Sequence, residues 1–430
     1  MQLKRVHYVT TEKKDELSMV MKKHYVGLSI VFFAVLSVTS LPAFSDATSR
    51  SQAKRMHDRL TGVVPSPSVL TQMEDAIDAN NAVGAAYIAM KNKHFYNATL
   101  VNFITPWTNE ARAVFPEDME QVGAQPAQGT LNDYTATVIG AIRDDVDFRH
   151  ILYDDILYVG AGSLGLTNTY SYSSNAHYKE LEDKGFNLGD SNVLVPVSQA
   201  SQTGGVLTPA DTAGVITTRA GAKAFFVDGT NRAMFRFTVL NHLCKDMEQL
   251  KDVTLPSDRI RQDVSRSPGG DSRIFMNACI GCHTGMDPMT QAFAYYDYDE
   301  SSGKLAFTPG SVQGKNLINS DNFKPGYITT NDSWVNYWRQ GSNSLLNWDS
   351  SLPGKGNGAK SMAQELAHSE QFARCQVEKV FKSVCLRPPG NSADRTEVNN
   401  ILANFKLPFN NAGYELKRVF AETAVYCMGQ

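Results

Sequence analysis

A chain of 430 residues with 20% charged and 42% hydrophobic residues has the makeup of a folded globular protein, long enough for two or three domains. Its net charge of −3, with no basic stripe, argues against nucleic acid as a partner. The chain carries no Ser-His-Asp, P-loop or zinc-hydrolase signature, which sets aside the commonest hydrolase and nucleotide chemistries.

Residues 1–45 read as targeting sequence, with the true start expected at Met21. Met21-Lys22-Lys23 opens a basic segment, Val26 to Val38 is apolar, and Ala43 and Ser45 are the small residues that precede cleavage at Asp46. The apolar run is too short for an anchor. The mature chain is therefore expected to be exported, periplasmic or secreted from a bacterium, with no membrane span. Losing residues 1–45, with six Lys/Arg and three Asp/Glu, takes the net charge from −3 to −6.

Residues 46–202 read as a helical N-terminal domain. Ser68 is a candidate N-cap for an apolar-periodic stretch running to Met90. After a loop at 115–130, Val138, Ile139 and Ile142, then Ile151, Ile156 and Leu157, mark two more helices by their spacing. The pairs Asp144/Asp145 and Asp154/Asp155 read as solvated helix faces rather than metal ligands. Residues 159–221 are rich in Gly, Ser, Thr and Asn, and predict an extended connection with a short strand at Val193–Val197. A connecting module at 203–260 holds a helix from near Asn231 to Met247, with Val239, Leu243 and Met247 on one face. A polar linker, 252–272, leads into the next segment.

Residues 261–360 contain Cys279-Ile280-Gly281-Cys282-His283. A Cys-x-x-Cys-His run is the attachment signature of a c-type haem. Two thiols three positions apart can form thioethers with the two vinyl groups on one porphyrin edge, and the adjacent His becomes the proximal axial ligand. Zinc would need about four N/S ligands in paired spacing, and the chain has no second pair. A short helix from Arg273 to Cys282 is expected to carry the motif. The Asp287-Pro288 step is expected to turn the chain just beyond it. Phe293 and Tyr296 are candidates for a wall against the macrocycle, as are Trp334 and Trp338, four residues apart on an expected helix face; filling of the core is the other use of such aromatics.

Residues 361–430 read as a C-terminal helical bundle. Ser361 and Gln364 form a capping box. Ala373, Val377, Val380, Phe381 and Val384 make one apolar stripe, Val398, Ile401, Leu402 and Phe405 a second, and Leu416, Val419, Phe420, Thr423 and Cys427 a third. Beyond the motif, the chain has Cys244, Cys375, Cys385 and Cys427, and an even remainder in an exported protein suggests two disulfides among three connectivities. Cys385 and Cys427 lie on or beside stripes that face each other, which favours their pairing and leaves Cys244 for Cys375.

The run CIGCHTGMDPMTQAFAYYD resembles the haem segment of planctomycete-type cytochromes. GGVLTPADTAGVITT with VLNHLC is similar to the helical module before that segment, and SEQFARCQVEKVF with GYELKRVFAETAVY to the module that closes such chains. The likeness spans roughly Asp147 to Tyr426. It implies a secreted, multidomain cytochrome. The family's arginine- and proline-rich stretches are absent or shifted here, so the resemblance assigns no role to Arg232.

Together these readings give a mainly α chain: a helical N-terminal domain, then a monohaem cytochrome c-like domain closed by a C-terminal bundle, with long irregular loops. The expected cofactor is one covalent haem c on Cys279 and Cys282, with His283 on the iron. The expected function is electron transfer with a redox partner protein. An oxidoreductase of peroxidase or oxygenase type, with an open distal iron position, is the alternative, and a scaffold with an incidental haem is the third reading. For a sixth ligand, Met286 and Met289 lie too near His283 in the chain to reach the opposite haem face. Met362, after the glycine-rich run LPGKGNGAKS, is preferred, with His368 and then His242 behind it.

Overall fold

Polar residues just ahead of apolar runs set the start of most helices. The computed structural model describes residues 48–113, 129–227, 229–409 and 413–429; the expected leader and most of the loop at 115–130 lie outside these. Thr48 caps α1 (Ser49–Thr61), and Ser66, with Pro67 at the first helical position, caps α2 (Pro67–Asp78). The stretch read as one helix up to Met90 is two. Asn80 adopts φ 57°, and Asn81 accepts from the Gly84 N–H to start α3 (Ala82–Met90). The chain continues through a π-helical turn, Phe95–Leu100, into α4 (Val101–Ile104) and α5 (Pro106–Ala113).

Asn132 caps α6 (Asp133–Arg143), in which every residue is buried. An apolar helix can be covered all round only at the centre of a core. Next come α7 (His150–Tyr153) and β1 (Leu157–Gly160), so Leu157 belongs to a strand rather than a helix. Its partner is β2 (Leu194–Val197), antiparallel, with α8 (Ala176–Asp183) between them. The acidic pairs are taken up locally. Asp144 pairs with Arg143, Asp145 with Lys417 and Asp154 with His150, while Asp155 accepts from Ser198 and the Ala200 N–H.

Then follow α9 (Arg219–Phe225) and α10 (Arg232–Leu243), which stops where Cys244 turns left-handed at φ 53°. The motif region is α11 (Ser272–Ile274), a π-helical turn at Phe275–Cys279, and α12 (Ile280–Thr290). Pro288 lies inside α12, so the expected turn at Asp287-Pro288 is absent. The proline removes only the N–H that would reach the Thr284 carbonyl, and the helix ends two residues later. Thr290 Oγ1 and Gln291 Nε2 both donate to the Asp287 carbonyl at 3.0 Å, closing that turn.

Two hairpins follow: β3 (Tyr296–Asp299) with β4 (Lys304–Phe307), and β5 (Ser333–Val335) with β6 (Lys355–Asn357). Trp334 thus sits on a strand and Trp338 in a 3-10 turn, not on one helix face. α13 (Gly358–Ala367) springs directly from β6 with Asn357 at its cap position, so Ser361 is inside the helix rather than capping it. Its hydroxyl donates to the Asn357 carbonyl at 2.6 Å and accepts from Trp334 Nε1 at 2.8 Å. α14 (Glu370–Cys385), α15 (Ser392–Phe405) and α16 (Leu416–Cys427) complete the chain.

The structure is mainly helical, and contacts gather Asp46–Gln430 into one unit. α16 packs on α14 and also on α1 and α3, so first and last helices share a core. Gln52 Nε2 donates to the Gly429 carbonyl at 2.9 Å across that contact. Disulfides join Cys244 to Cys375 and Cys385 to Cys427, with Cα–Cα distances of 5.3 and 5.5 Å, both in the usual range. The first ties the end of α10 to α14; the second ties α14 to α16.

Candidate functional site

Asp271 starts the motif segment by accepting from the Arg273 N–H at 2.9 Å. The π-helical turn then brings Cys279 to the threshold of α12, with Cys282 and His283 in its first turn. Neither Cys279 nor Cys282 is bridged, and both are half-buried. Burial pushes the Cys282 thiol pKa up, and Glu248 adds to the rise. A strap before the motif closes one side of it. Cys282 Sγ faces the Met247 carbonyl at 3.5 Å, the Asp252 N–H donates to the Gly281 carbonyl at 3.0 Å, and Thr284 Oγ1 donates to the Asp252 carbonyl at 2.8 Å. Gly281, between the thiols, lets this strap approach: a Cβ there would sit 3.3 Å from Lys251 Cβ and 3.4 Å from a Val253 methyl. Val253, Ile274 and Met276, which flank the thiols in sequence or in space, leave large apolar side chains exposed.

His283 is held from one side only. Its Nδ1 lies 3.0 Å from Oδ1 of Asp287, one helical turn on, and Asp287 is fully buried. Arg232, at the start of α10, grips the same carboxylate with Nε at 2.7 Å and Nη2 at 2.9 Å. The other edge of its guanidinium takes Asp263, with Nη1 at 2.6 Å and Nη2 at 2.9 Å. The Arg261 N–H also reaches Asp287, at 3.3 Å. Burial acts to raise the Asp287 pKa, but Arg232 and His283 outweigh it and hold the carboxyl well below its ordinary range. Arg232 responds in kind: burial would lower its pKa, yet Asp287 and Asp263 raise it. The pattern is a charged relay from Asp263 through Arg232 and Asp287 to an imidazole. A carboxylate on Nδ1 fixes the tautomer and leaves Nε2 as the nitrogen able to ligate a metal.

This donor set fits a covalent haem. Four of the six cysteines are bridged, and the two left as thiols are those of the Cys-x-x-Cys-His motif. Among the described residues no group of three or more His, Cys, Asp or Glu is arranged to hold a bare ion.

The other expected site residues lie elsewhere. Phe293 and Tyr296 are buried, and their ring neighbours are Phe226, Phe307 and each other; Tyr296 also donates its hydroxyl hydrogen to the Asp211 carbonyl. Trp338 does reach the motif helix, with its indole against Gly285. Met362 is wholly buried in α13. His368 Nδ1 lies 2.9 Å from the Gln364 carbonyl, and its ring packs on Tyr153. His242 is enclosed by Trp107, Tyr134 and Phe372, with Nε2 2.8 Å from the Tyr134 hydroxyl. Among the described residues none of these three shares a hydrogen bond or ring contact with Cys279–His283. The glycines before α13 approach protein rather than open space: Gly354 lies against Arg339, and Gly356 against Trp334 and Ser361.

Sequence reasoning missed Asp287 and Arg232 as partners of His283. The spacing of His283 and Asp287, four apart on a helix, was a usable signal; it was obscured by reading Asp-Pro as a turn. No family model, curated protein or solved structure matches this chain.

Proposed function

We propose that the exported chain is a monohaem c-type cytochrome, with haem c joined to Cys279 and Cys282, that passes single electrons to or from a partner protein. The observation that carries this is the pairing of the only two unbridged cysteines with a histidine whose Nδ1 is committed to a buried carboxylate. The resemblance to planctomycete-type cytochromes supports it, as does the leader expected at residues 1–45, since haem c is attached outside the cytoplasm. In this reading residues 261–360 form the haem-bearing segment, between helical modules on either side. The haem would supply a one-electron couple. The chain's own part is to orient His283 through Asp287, to set the charge around it through Arg232 and Asp263, and to shield one side with the strap at Met247–Val253.

A second reading, a haem oxidoreductase with an open sixth position, draws on two observations. The carboxylate would make His283 a more strongly donating ligand, and Met362 and His242 are buried in the core while His368 is bonded within its own helix.

Expressed in a periplasm with haem-maturation machinery, the protein is expected to keep its haem stain through denaturing electrophoresis. Cys282→Ala should lose the stain and Cys375→Ala should keep it. Haem released from the wild type by acid-acetone overturns the proposal. Optical and resonance spectra separate the two readings. Six-coordinate low-spin iron that turns high-spin in Met362→Ala supports a carrier with Met362 as ligand, and a high-spin wild type supports the open site.

A further inference from the structure

The strongest unexplained charge in the molecule lies away from the motif. Arg219, at the start of α9, is only 5% exposed. Among the described residues no carboxylate lies within ion-pair distance of its guanidinium. Asp133, which meets the backbone of Arg219, spends its two oxygens on the backbone N–H groups of Arg219 at 2.7 Å, Ala220 at 2.9 Å and Tyr134 at 3.0 Å. The Arg219 side chain instead donates from Nη2 to Asn175 Oδ1 at 3.0 Å and hydrogen-bonds the Tyr298 hydroxyl. A cation this deep is expensive unless something anionic meets it.

Arg219 lines a cavity of about 430 Å³, together with Lys223, Ser173, Ser174, Tyr298 and Glu300. That volume falls in the range of small-molecule sites, about 300–1,000 Å³, and exceeds what a lone ion needs. We propose that this cavity binds a small polar organic anion, a carboxylate or a phosphate monoester, with its oxyanion held by Arg219. Two hydroxyls are poised to add donors. Ser174 Oγ accepts from the Ala176 N–H at 3.2 Å and Tyr298 accepts from Arg219, so each keeps its own hydrogen to give. Glu300 is exposed and lines the same cavity; it opposes a second anionic group and offers an acceptor to a hydroxyl or amine at the other end of the ligand. None of the cavity's residues belongs to the cysteine motif or its charged relay, so the inference does not depend on the haem reading.

Calorimetric titration of the intact mature chain with glycerol 3-phosphate, lactate and inorganic phosphate tests this, against chloride at matched ionic strength. Saturable binding of glycerol 3-phosphate, lactate or both is expected; whichever binds assigns the phosphate or the carboxylate class. Arg219→Gln should weaken it at least tenfold, and Tyr298→Phe, which removes a proposed donor, should weaken it as well. Tyr298→Phe serves if Arg219→Gln fails to keep the wild-type circular dichroism spectrum. Absence of saturable binding by either organic anion overturns the proposal, as does binding unchanged in every variant that folds.

Discussion

Asp287 is the residue on which the motif's electrostatics turn. It is fully buried and charged, and it is stable there because Arg232 supplies opposite charge and Arg232, His283 and the Arg261 N–H supply hydrogen bonds to its two oxygens. Removing one member of such a buried network typically costs about 3–5 kcal/mol, mostly by stranding the partner. Asp263 still holds the second edge of Arg232, so Asp287→Ala is expected at the low end, about 3 kcal/mol, read from urea unfolding. A change under about 1 kcal/mol would mean the network carries little. On the proposed haem reading, Asp287→Asn keeps the shape but removes the negative charge behind His283. The reduction potential should then rise in spectroelectrochemical titration while the haem stain is retained; an unchanged or lower potential contradicts the relay. The local half of this arrangement was open to reading, since His283 and Asp287 are one turn apart. The distant half was not: Arg232 lies 55 residues from Asp287, and a single ion pair leaves no periodic trace in a sequence.

Between elements, the motif helix is seated by close approach rather than by large side chains. Gly285 in α12 meets the Trp338 indole, and a Cβ at that position would run into it. Gly285→Ala is therefore expected to destabilise by about 1–3 kcal/mol, the usual cost of overpacking. Gly314, where an added Cβ meets nothing, is the control and should change stability little. Equal denaturation midpoints for the two variants would refute the packing argument. Trp338 was legible as a large aromatic needing burial, but its place in a 3-10 turn was not, because two tryptophans four apart fit a helix as well as a hairpin margin. The three C-terminal stripes were clear, since each repeats at helical spacing over more than two turns. That regularity also opened the disulfides to reasoning: Cys385 and Cys427 end helices whose apolar faces must meet, and Cys375 looks away from them toward the end of α10. Pro288 misled for the converse reason. A proline near a helix end costs little, and no local rule tells an ending from an interior position two residues earlier.

At the scale of the whole molecule, long-range pairing is what the sequence hid. The strand at Leu194–Val197 is apolar enough to notice, but its partner Leu157–Gly160 continues an apolar run that suits a helix equally well. The joining of the first helices to the last is likewise invisible to local pattern. The shared core that results encloses His242, and this makes stability depend on mild acid. Burial lowers the His242 pKa well below its ordinary value, with Lys379 adding to the effect, and burial also lowers His57 and His177. The folded chain therefore binds fewer protons than the unfolded chain once pH falls below about 6.5. Fewer protons in the folded state means that stability is present above that pH and is lost as pH drops, by about 1.4 kcal/mol per pH unit for a single group such as His242. His150 works in the opposite sense, since its hydrogen bond to Asp154 raises its pKa, but that pair is more than a third exposed and contributes under about 1 kcal/mol. Urea midpoints should change little from pH 7.5 to 6.5 and fall clearly from 6.5 to 5.5. His242→Gln, which retains a polar group beside the Tyr134 hydroxyl, is expected to start less stable at pH 7.5 and to lose less on acidification. Parallel pH profiles for the wild type and this variant would show that another group, not the enclosed imidazole, governs the acid response.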